Sequence, residues 1–165
     1  MDWNQYTLLK AQTDHYDDYF RIRSEEKNMH WTGYEKPPDY HAFRNWFTDR
    51  LKNPDRDIYL MYSEGHCVGS LHIDFYETYI DIGYSVMEAY EGKGFATSIV
   101  SEAVAIAKSE KTRRKKITTV KAWINAHNIG SIKVAEKNGF QLSENSEIRK
   151  RFGKEELYYE YTLQI

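Results

Sequence analysis

This chain of 165 residues has one cysteine and three prolines, and its net charge is close to zero. Because Cys67 is the only cysteine, no internal disulfide can form, and we expect a reducing compartment, the cytoplasm. The formal net charge is −2, so no overall basic field attracts nucleic acid. No apolar run is long enough to span a bilayer, and the first residues lack a signal-peptide pattern, so we expect no membrane partner.

Aromatic residues, by contrast, are abundant, with 14 Tyr and four Trp. We interpret most of them as core and half-buried surface, and some as candidates for lining a pocket. A length of 165 residues suits one domain with a substantial core, and no repeat, low-complexity tract or clear linker interrupts it. We therefore assign residues 1–165 to a single domain.

The hydrophobic pattern predicts a mixed α/β sheet rather than a doubly wound Rossmann fold. Strands are predicted over residues 6–11, 58–62, 68–75, 79–86, 117–124, 147–152 and 157–163, and helices over 14–22, 40–51, 95–108 and 129–137. Residues 23–38 are predicted to form a loop, and the basic run 111–116 a solvated connection. Short connections favour antiparallel pairing in the first half, whereas the strand–helix–strand unit over 79–124 requires a parallel neighbour or a crossover.

The segment Glu91-Gly92-Lys93-Gly94-Phe95-Ala96 lies between a predicted strand and a predicted helix. The start of a helix presents free backbone N–H groups and a positive dipole end, which together suit a phosphate or pyrophosphate. Glycine has no Cβ, so Gly92 and Gly94 would let such a ligand approach the backbone. This pattern indicates a nucleotide-like cofactor.

Two familiar phosphate loops fit this segment poorly. A Walker loop requires Gly-Lys followed by Ser or Thr, and here Gly94 follows Lys93. A dinucleotide loop requires an acidic residue at the end of the next strand, and that strand ends in Trp123 and Ile124. A different kind of nucleotide site is therefore indicated.

A second motif begins at Asn128, where the last predicted helix starts. The Asn128 amide could cap that helix, as Asn commonly does. It could also hydrogen-bond a peptide-like cofactor arm that enters between two diverging strands. Both interpretations fit the spacing Asn128-x-x-Ser131, which places Ser131 at the same end of the helix.

Together these motifs resemble the GNAT superfamily of acetyl-CoA-dependent N-acetyltransferases. The resemblance rests on Val86-x-x-x-Tyr90 leading into the glycine segment, on Asn128-x-x-Ser131 and on Glu136-Lys-Asn-Gly-Phe140. The N-x-x-S form, the EK-x-GF ending and Ile82-Gly83-Tyr84 are similar to the ribosomal-protein-type branch. The resemblance implies the acyl-CoA N-acyltransferase fold, a mixed, centrally splayed β-sheet with about four flanking helices. It also implies direct acetyl transfer from acetyl-CoA, in a ternary complex, to a primary amine of a protein N-terminus, amino sugar or small molecule.

The resemblance also implies a cofactor site by position. Backbone amides would bind the pyrophosphate across one run of residues: Glu91, Gly92, Lys93, Gly94, Phe95, Ala96 and Thr97. The pantetheine arm would meet the backbone of Val86 and the side chain of Asn128. Three positions depart from the family pattern: Glu91 replaces the usual Gln or Arg, Ala135 a Tyr general acid, and Trp123 a Glu general base.

Without those two residues, other groups must move the protons. We predict that Ser131, three residues past Asn128, protonates the departing thiolate; the alternative is that its hydroxyl only bonds the first turn of its own helix. Asp74 and Asp81 flank a short turn around Glu77, and if the turn brings them together, repulsion raises one pKa and creates a general base. A solvated outer sheet face is the alternative, and water could then relay the proton.

The resemblance also implies an acceptor pocket between the two N-terminal helices and the sheet. Its candidate residues are Arg23, Glu25, Trp31 and His41. Arg23 and Glu25 could bind an acid and an amine, or could pair with each other on the surface. We expect a small-molecule or peptide amine as partner, no metal, and a monomer or homodimer. The absence of the usual Tyr and Glu leaves a non-catalytic acyl-CoA-binding or regulatory module as the alternative.

Overall fold

The computed structural model describes residues 5–165 as a seven-stranded mixed sheet with helices on both faces. Strands and α-helices follow in the order β1 (Thr7–Lys10), α1 (Tyr16–Ser24), α2 (Glu26–Thr32), α3 (Tyr40–Leu51), β2 (Arg56–Ser63), β3 (His66–Phe75), β4 (Tyr79–Val86), α4 (Phe95–Arg114), β5 (Thr119–Asn125), α5 (Ile129–Lys137), β6 (Gln141–Arg151) and β7 (Lys154–Gln164). Within this part of the chain, no helix is long and apolar enough to cross a membrane.

The strand order is β1-β2-β3-β4-β5-β7-β6. Strands β1 to β4 pair antiparallel, as the short connections predict for β2, β3 and β4, and β4 pairs parallel with β5. That parallel pairing covers only Tyr79–Asp81 against Thr119–Lys121, beyond which the two strands separate. The predicted central splay is therefore confirmed, and it opens the sheet between the carboxyl halves of β4 and β5.

Several predicted elements agree closely with the structure. The bounds of α3, β4 and α5 are those predicted, and the Asp39 carboxylate accepts a hydrogen bond from Ala42 N–H at 2.8 Å, capping α3. Helix α4 runs to Arg114 instead of ending at Lys108, so the prediction that the basic run begins a connection is wrong. Its last turn is stabilised because Glu110 pairs with Arg113 and Arg114, and because cations complement the helix dipole.

Helix α2 lies inside the segment predicted as a loop, which corrects the count from four helices to five among the described residues. Glu25 adopts an extended conformation that separates α2 from α1. Buried Asn28 and Met29 hold the short helix, and the Asn28 amide donates to the Ile22 carbonyl oxygen at 3.2 Å. Gly33, at φ +80°, ends it. Seven residues show too little periodicity to predict a helix, and tertiary contacts supply its stability.

The two faces of the sheet are covered differently. Helices α4 and α5 pack on one face over an apolar cluster that includes Ile73, Ile82, Phe95 and Ile99. Helices α1 and α3 cover the β1–β3 part of the opposite face, with aromatic and aliphatic side chains that include Tyr16, Tyr19, Phe47, Ile58 and Leu60. Over β4, β5 and β7 this second face carries polar side chains instead, and there it borders a cleft.

Candidate active site

A cleft of about 880 Å³ runs from the glycine segment, past the splay between β4 and β5, to the polar face of the sheet. We call its two halves the glycine-loop end and the charged end. The glycine-loop end is lined by Val86, Glu91, Gly92, Gly94, Phe95, Ala96, Thr97, Asn128 and Ser131. The charged end is lined by Arg23, Trp31, Asp74, Asp81, Arg149, Arg151 and Tyr158. Of the predicted cofactor residues, Lys93 alone does not line the cleft.

The glycine loop leaves open space beside its backbone. Gly92 and Gly94 adopt φ values of +71° and +87°, and a Cβ built on either would meet no atom within 4 Å. The first internal bond of α4 runs from Ser98 N–H to the Gly94 carbonyl oxygen at 3.0 Å. The N–H groups of Ala96 and Thr97, in the first turn of α4, therefore have no acceptor within the helix, as an anion site requires.

Glu91 begins this loop with a negative charge, but the charge has a partner. The Lys27 ammonium donates a hydrogen bond to the Glu91 carboxylate and links α2 to the loop. The pair is exposed to solvent, with side-chain exposures of 43% and 40%, so Lys27 offsets only part of the repulsion toward an approaching anion. Lys93 turns back along the loop, and its ammonium donates to the Ala89 carbonyl oxygen at 3.1 Å.

The start of α5 faces the splay. The Asn128 side-chain oxygen accepts a hydrogen bond from Ser131 N–H at 3.2 Å, so the amide does cap the helix. The cap uses only the oxygen, and the NH₂ group still carries two donors. Tyr84 on β4 donates its hydroxyl to the Ser131 carbonyl oxygen at 3.1 Å, and burial raises the pKa of Tyr84 to about 12, which keeps it protonated. These bonds fix the first turn of α5 against β4.

Two carboxylates lie side by side on β3 and β4, as the turn geometry predicted. Asp74 is directly opposite Asp81 in the antiparallel register. Asp74 is bound by the Arg56 guanidinium through two hydrogen bonds, of which the Nη2–Oδ2 bond is 2.5 Å. Burial first, and then the Asp74 charge, raises the pKa of Asp81 to about 7, although Arg149 and Lys121 act in the opposite direction. Asp81 can therefore accept or release a proton near neutral pH.

Comparison with known proteins decides the family. Residues 6–141 match the acetyltransferase (GNAT) domain family. The chain belongs to that family. The Bacillus subtilis protein named "Probable N-acetyltransferase YjcK" is 28% identical over 142 residues, which cover 84% of this chain. That alignment covers 66% of YjcK, just under two thirds of its length. The family predicted from the motifs is confirmed.

Solved structures agree on the GNAT fold. Spermidine N-acetyltransferase from Vibrio cholerae, in complex with CoA and spermine, superimposes with a TM-score of 0.84 at 11% identity and covers 98% of this chain and 96% of its own. The Salmonella typhimurium enzyme that modifies the N-terminal serine of ribosomal protein L7/L12 has a TM-score of 0.77 at 18% identity, with coverages of 97% and 95%. At these identities the likeness is one of fold, and it does not decide the acceptor.

Arg23 and Trp31 line the charged end of this GNAT domain, but Glu25 and His41 do not. The Glu25 carboxylate accepts hydrogen bonds from Glu88 N–H at 3.0 and 3.1 Å and from the Asn28 amide at 2.9 Å. It therefore connects α2 to the turn before the glycine loop. His41 is exposed on α3, with its ring centroid 5.3 Å from that of Tyr40. The structure does not bring either residue to the acceptor pocket expected from the sequence.

His72 is a half-buried residue for which the sequence indicated no role. Burial first, and then the Arg56 charge, lowers the pKa of His72 to about 4, so the ring is neutral at pH 7. It packs directly on Gly83 of β4, where an added Cβ would overlap the imidazole carbon Cε1. Gly83 is therefore required by the close approach of the imidazole, and the pair shapes the floor of the cleft.

Sequence reasoning also missed residues from α2, the segment after it and the β6–β7 hairpin. These are Lys27, Tyr34, Arg149, Arg151 and Tyr158, all of which line the cleft. Arg149 and Arg151 alternate on β6 and so share one face, a signal that a period of two could have revealed. Over residues 5–165, no group of three or more His, Cys, Asp or Glu side chains is arranged to hold a metal ion.

Proposed function

We propose that this chain transfers an acetyl group from acetyl-CoA to a primary amine, with both reactants bound in the one cleft. The observation that carries the proposal is the arrangement of two features along that cleft: a helix start with open space beside its backbone, and a carboxyl group whose pKa lies near 7. Membership of the GNAT family and the name of YjcK support it. The lone buried cysteine, Cys67, supports a cytoplasmic location.

The glycine-loop end fits acetyl-CoA. Backbone N–H groups of the Glu91–Thr97 run would bind the pyrophosphate, in the open space beside Gly92 and Gly94. The splay between β4 and β5 exposes backbone next to Val86, where the peptide-like arm of the cofactor would pair, and Asn128 NH₂ would donate to the same arm. When bound, acetyl-CoA supplies the acetyl group as a thioester, and transfer to the amine releases CoA as its thiol.

Asp81 is proposed as the general base. A primary amine is mostly protonated at pH 7, so it must lose a proton before its nitrogen can attack. Asp81 lines the cleft, and its ionised form, populated above about pH 7, can accept that proton and pass it to solvent. Asp74, occupied by Arg56, acts on Asp81 through its charge and is a positioning residue.

Ser131 is proposed as the proton donor to the departing sulfur. The Ser131 N–H donates to the Asn128 side-chain oxygen, and the Ser131 carbonyl oxygen accepts from the Tyr84 hydroxyl. These two bonds fix the backbone from which the Ser131 side chain extends beside the splay. The ammonium group of the acceptor loses two protons overall. One passes through Asp81 to solvent, and the other replaces the proton that Ser131 gives to the sulfur.

Two measurements test the proposed function. Calorimetry should show acetyl-CoA binding, and single-turnover assays of thiol release with a panel of primary amines should show acceptor-dependent transfer. Ala135 and Trp123, which replace the usual Tyr and Glu, favour the alternative of a non-catalytic acyl-CoA-binding module. Binding without turnover on any amine would support that module, and absence of binding would contradict both.

A further inference from the structure

The charged end is lined by more cationic than anionic side chains. Its two carboxylates are Asp74, which is bound by Arg56, and Asp81, which carries at most one negative charge. Buried Glu160 on β7 accepts hydrogen bonds from the Lys121 ammonium at 3.0 Å, Ser143 and Asn145, so it is not available to a third cation. Three further guanidinium groups line the same cleft: those of Arg23, Arg149 and Arg151.

Arg23 has a buried donor without an acceptor. Its Nε atom is shielded from solvent and has no hydrogen-bond partner among residues 5–165. Its guanidinium lies 5.3 Å from the ring centroid of Tyr34. Glu25, the carboxylate that could have paired with it, is bound to Glu88 N–H instead. Burying a donor without an acceptor is costly, so the arrangement favours an acceptor that enters with a ligand.

Tyr158 provides a second, independent observation. Its side chain is only 4% exposed and lines the cleft, and its hydroxyl has no hydrogen-bond partner in the part of the chain that the structure describes. The guanidinium of Arg149 lies 4.2 Å from the ring centroid of Tyr158, and that of Arg151 lies 5.4 Å from it. Because buried tyrosine hydroxyls ordinarily have a partner, the O–H group and the two arginines suit an oxyanion.

The known contacts of Arg149 and Arg151 leave donors for such a ligand. Arg149 Nε pairs with Glu147, but the side chains are 32% and 43% exposed, so the pair is weak. Arg151 Nη1 donates to the Thr32 carbonyl oxygen, which ties the hairpin to the end of α2. A guanidinium carries five N–H donors, and these contacts use one on each arginine.

We propose that the acceptor carries a carboxylate close to its amine, bound by Arg23, Arg149 and the Tyr158 hydroxyl. The inference rests on the proposed function, with the amine at Asp81 and the acid at the arginines; Arg149 is near enough to Asp81 to lower its pKa. Guanidinium groups bind carboxylates through paired hydrogen bonds, and the same charges repel polycations. The acceptor is thus a free amino acid or a peptide with an acidic first residue, and not a polyamine.

Matched acceptors that differ in one acidic group test this inference. Alanine is compared with alaninamide, and a peptide amide that begins with Asp is compared with one that begins with Asn, with spermidine as the polycation. We expect kcat/KM, corrected for the fraction of free amine, to be at least tenfold higher for the acidic member of one pair. A preference in the first pair identifies free amino acids, and one in the second identifies acidic N-termini.

Variants then assign the preference to residues. Arg23→Gln and Arg149→Gln should each reduce it about tenfold, and Tyr158→Phe by a smaller factor. Arg21→Gln is the matched control, because Arg21 is on the same helix as Arg23 but pairs with Asp18 at 2.5 Å outside the cleft. The control should keep the preference. Arg149 is on the hairpin, so its variant remains informative if Arg23→Gln does not fold.

The outcomes separate this inference from the proposed function. Equal rates for both members of both pairs, fastest turnover with spermidine, or a preference that survives in both arginine variants would overturn the inference and leave acetyl transfer intact. Binding of acetyl-CoA without acceptor-dependent thiol release for any amine of the panel would overturn the proposed function, and the inference with it.

Discussion

The glycine-loop end of the cleft is lined mainly by one short segment, whereas the charged end is built from side chains on six elements. Six residues of the Glu91–Thr97 run, all but Lys93, line the first, together with Val86, Asn128 and Ser131. Helices α1 and α2 and strands β3, β4, β6 and β7 supply the second. A site made of backbone binds any ligand with the same phosphate groups, while a site made of side chains changes with each substitution. This division lets one fold retain its donor and change its acceptor.

The largest effect should come from the charged end, because Asp81 is proposed to act on the reacting proton. Asp81→Asn should lower single-turnover kcat about 10³-fold, within the range for general base catalysis. Corrected for the fraction of free amine, the wild-type kcat/KM should rise with pH through about 7, and this rise should be absent in the variant. Asp49→Asn is the matched control, because Asp49 is an exposed residue of α3 that does not line the cleft.

The same variant should be more stable than the wild type at pH 8. The folded pKa of Asp81, about 7, lies above the unfolded value, so the folded state holds the proton longer as pH rises. The wild type therefore loses stability between about pH 4, the ordinary Asp pKa, and pH 7, and the Asp81→Asn substitution removes this loss. If the unfolding free energies of the wild type and of Asp81→Asn differ by the same amount at pH 4 and at pH 8, the pKa of Asp81 is not raised. Asp74→Asn should instead move the rise in kcat/KM to lower pH.

The next largest effect should come from Ser131, where the two ends meet. Ser131→Ala removes one hydroxyl and little volume, so acetyl-CoA binding should survive. If the hydroxyl protonates the departing sulfur, single-turnover kcat should fall about 10²-fold. Ser101→Ala, on the exposed side of α4, controls for the loss of a hydroxyl. An undiminished single-turnover rate would assign the proton to water.

The same contrast between the two ends explains what the sequence could and could not predict. The glycine loop and the Asn128 cap depend on neighbours in the chain, so motif spacing located them, whereas the splay was implied by the resemblance to the GNAT superfamily. The pairing of Asp74 with Asp81 was accessible because a short turn joins their strands. Arg23 and Arg149 lie 126 residues apart, and only the folded sheet places them in one cleft.

Helix α2 shows the second reason for failure. Its polar sequence, EKNMHWT, gives no amphipathic pattern, and the helix exists because Asn28, Met29 and Glu25 contact other elements. Because the sequence did not predict α2, it did not predict the hydrogen bond from Lys27 to Glu91. The residues that α2 contributes to the lining of both ends of the cleft were missed for the same reason. Local propensity cannot reveal a helix that tertiary contacts stabilise.

A smaller effect should follow from filling the glycine-loop end. Gly94→Val adds a β-branched side chain in open space beside the backbone, where a phosphate must approach. Affinity for acetyl-CoA should fall at least tenfold, about 1.4 kcal/mol, in calorimetry. Gly65→Val is the matched control, because Gly65 has a similar φ of +79° and open surroundings but lies in the β2–β3 turn. Both variants carry similar backbone strain, so unequal affinities isolate the ligand contact.

The smallest effect should separate the two roles of Asn128. Asn128→Ala removes the cap on α5, which should lower the free energy of unfolding by about 1 kcal/mol. If the NH₂ group also donates to the cofactor arm, the KM for acetyl-CoA should rise severalfold. Asp39→Ala removes the equivalent cap on α3, far along the chain from the glycine loop, and should lower stability without changing that KM. If both variants lose the same stability and neither changes the KM for acetyl-CoA, Asn128 only caps α5. Acetyl-CoA would then be bound by the backbone of the glycine loop and the splay, without the Asn128 side chain.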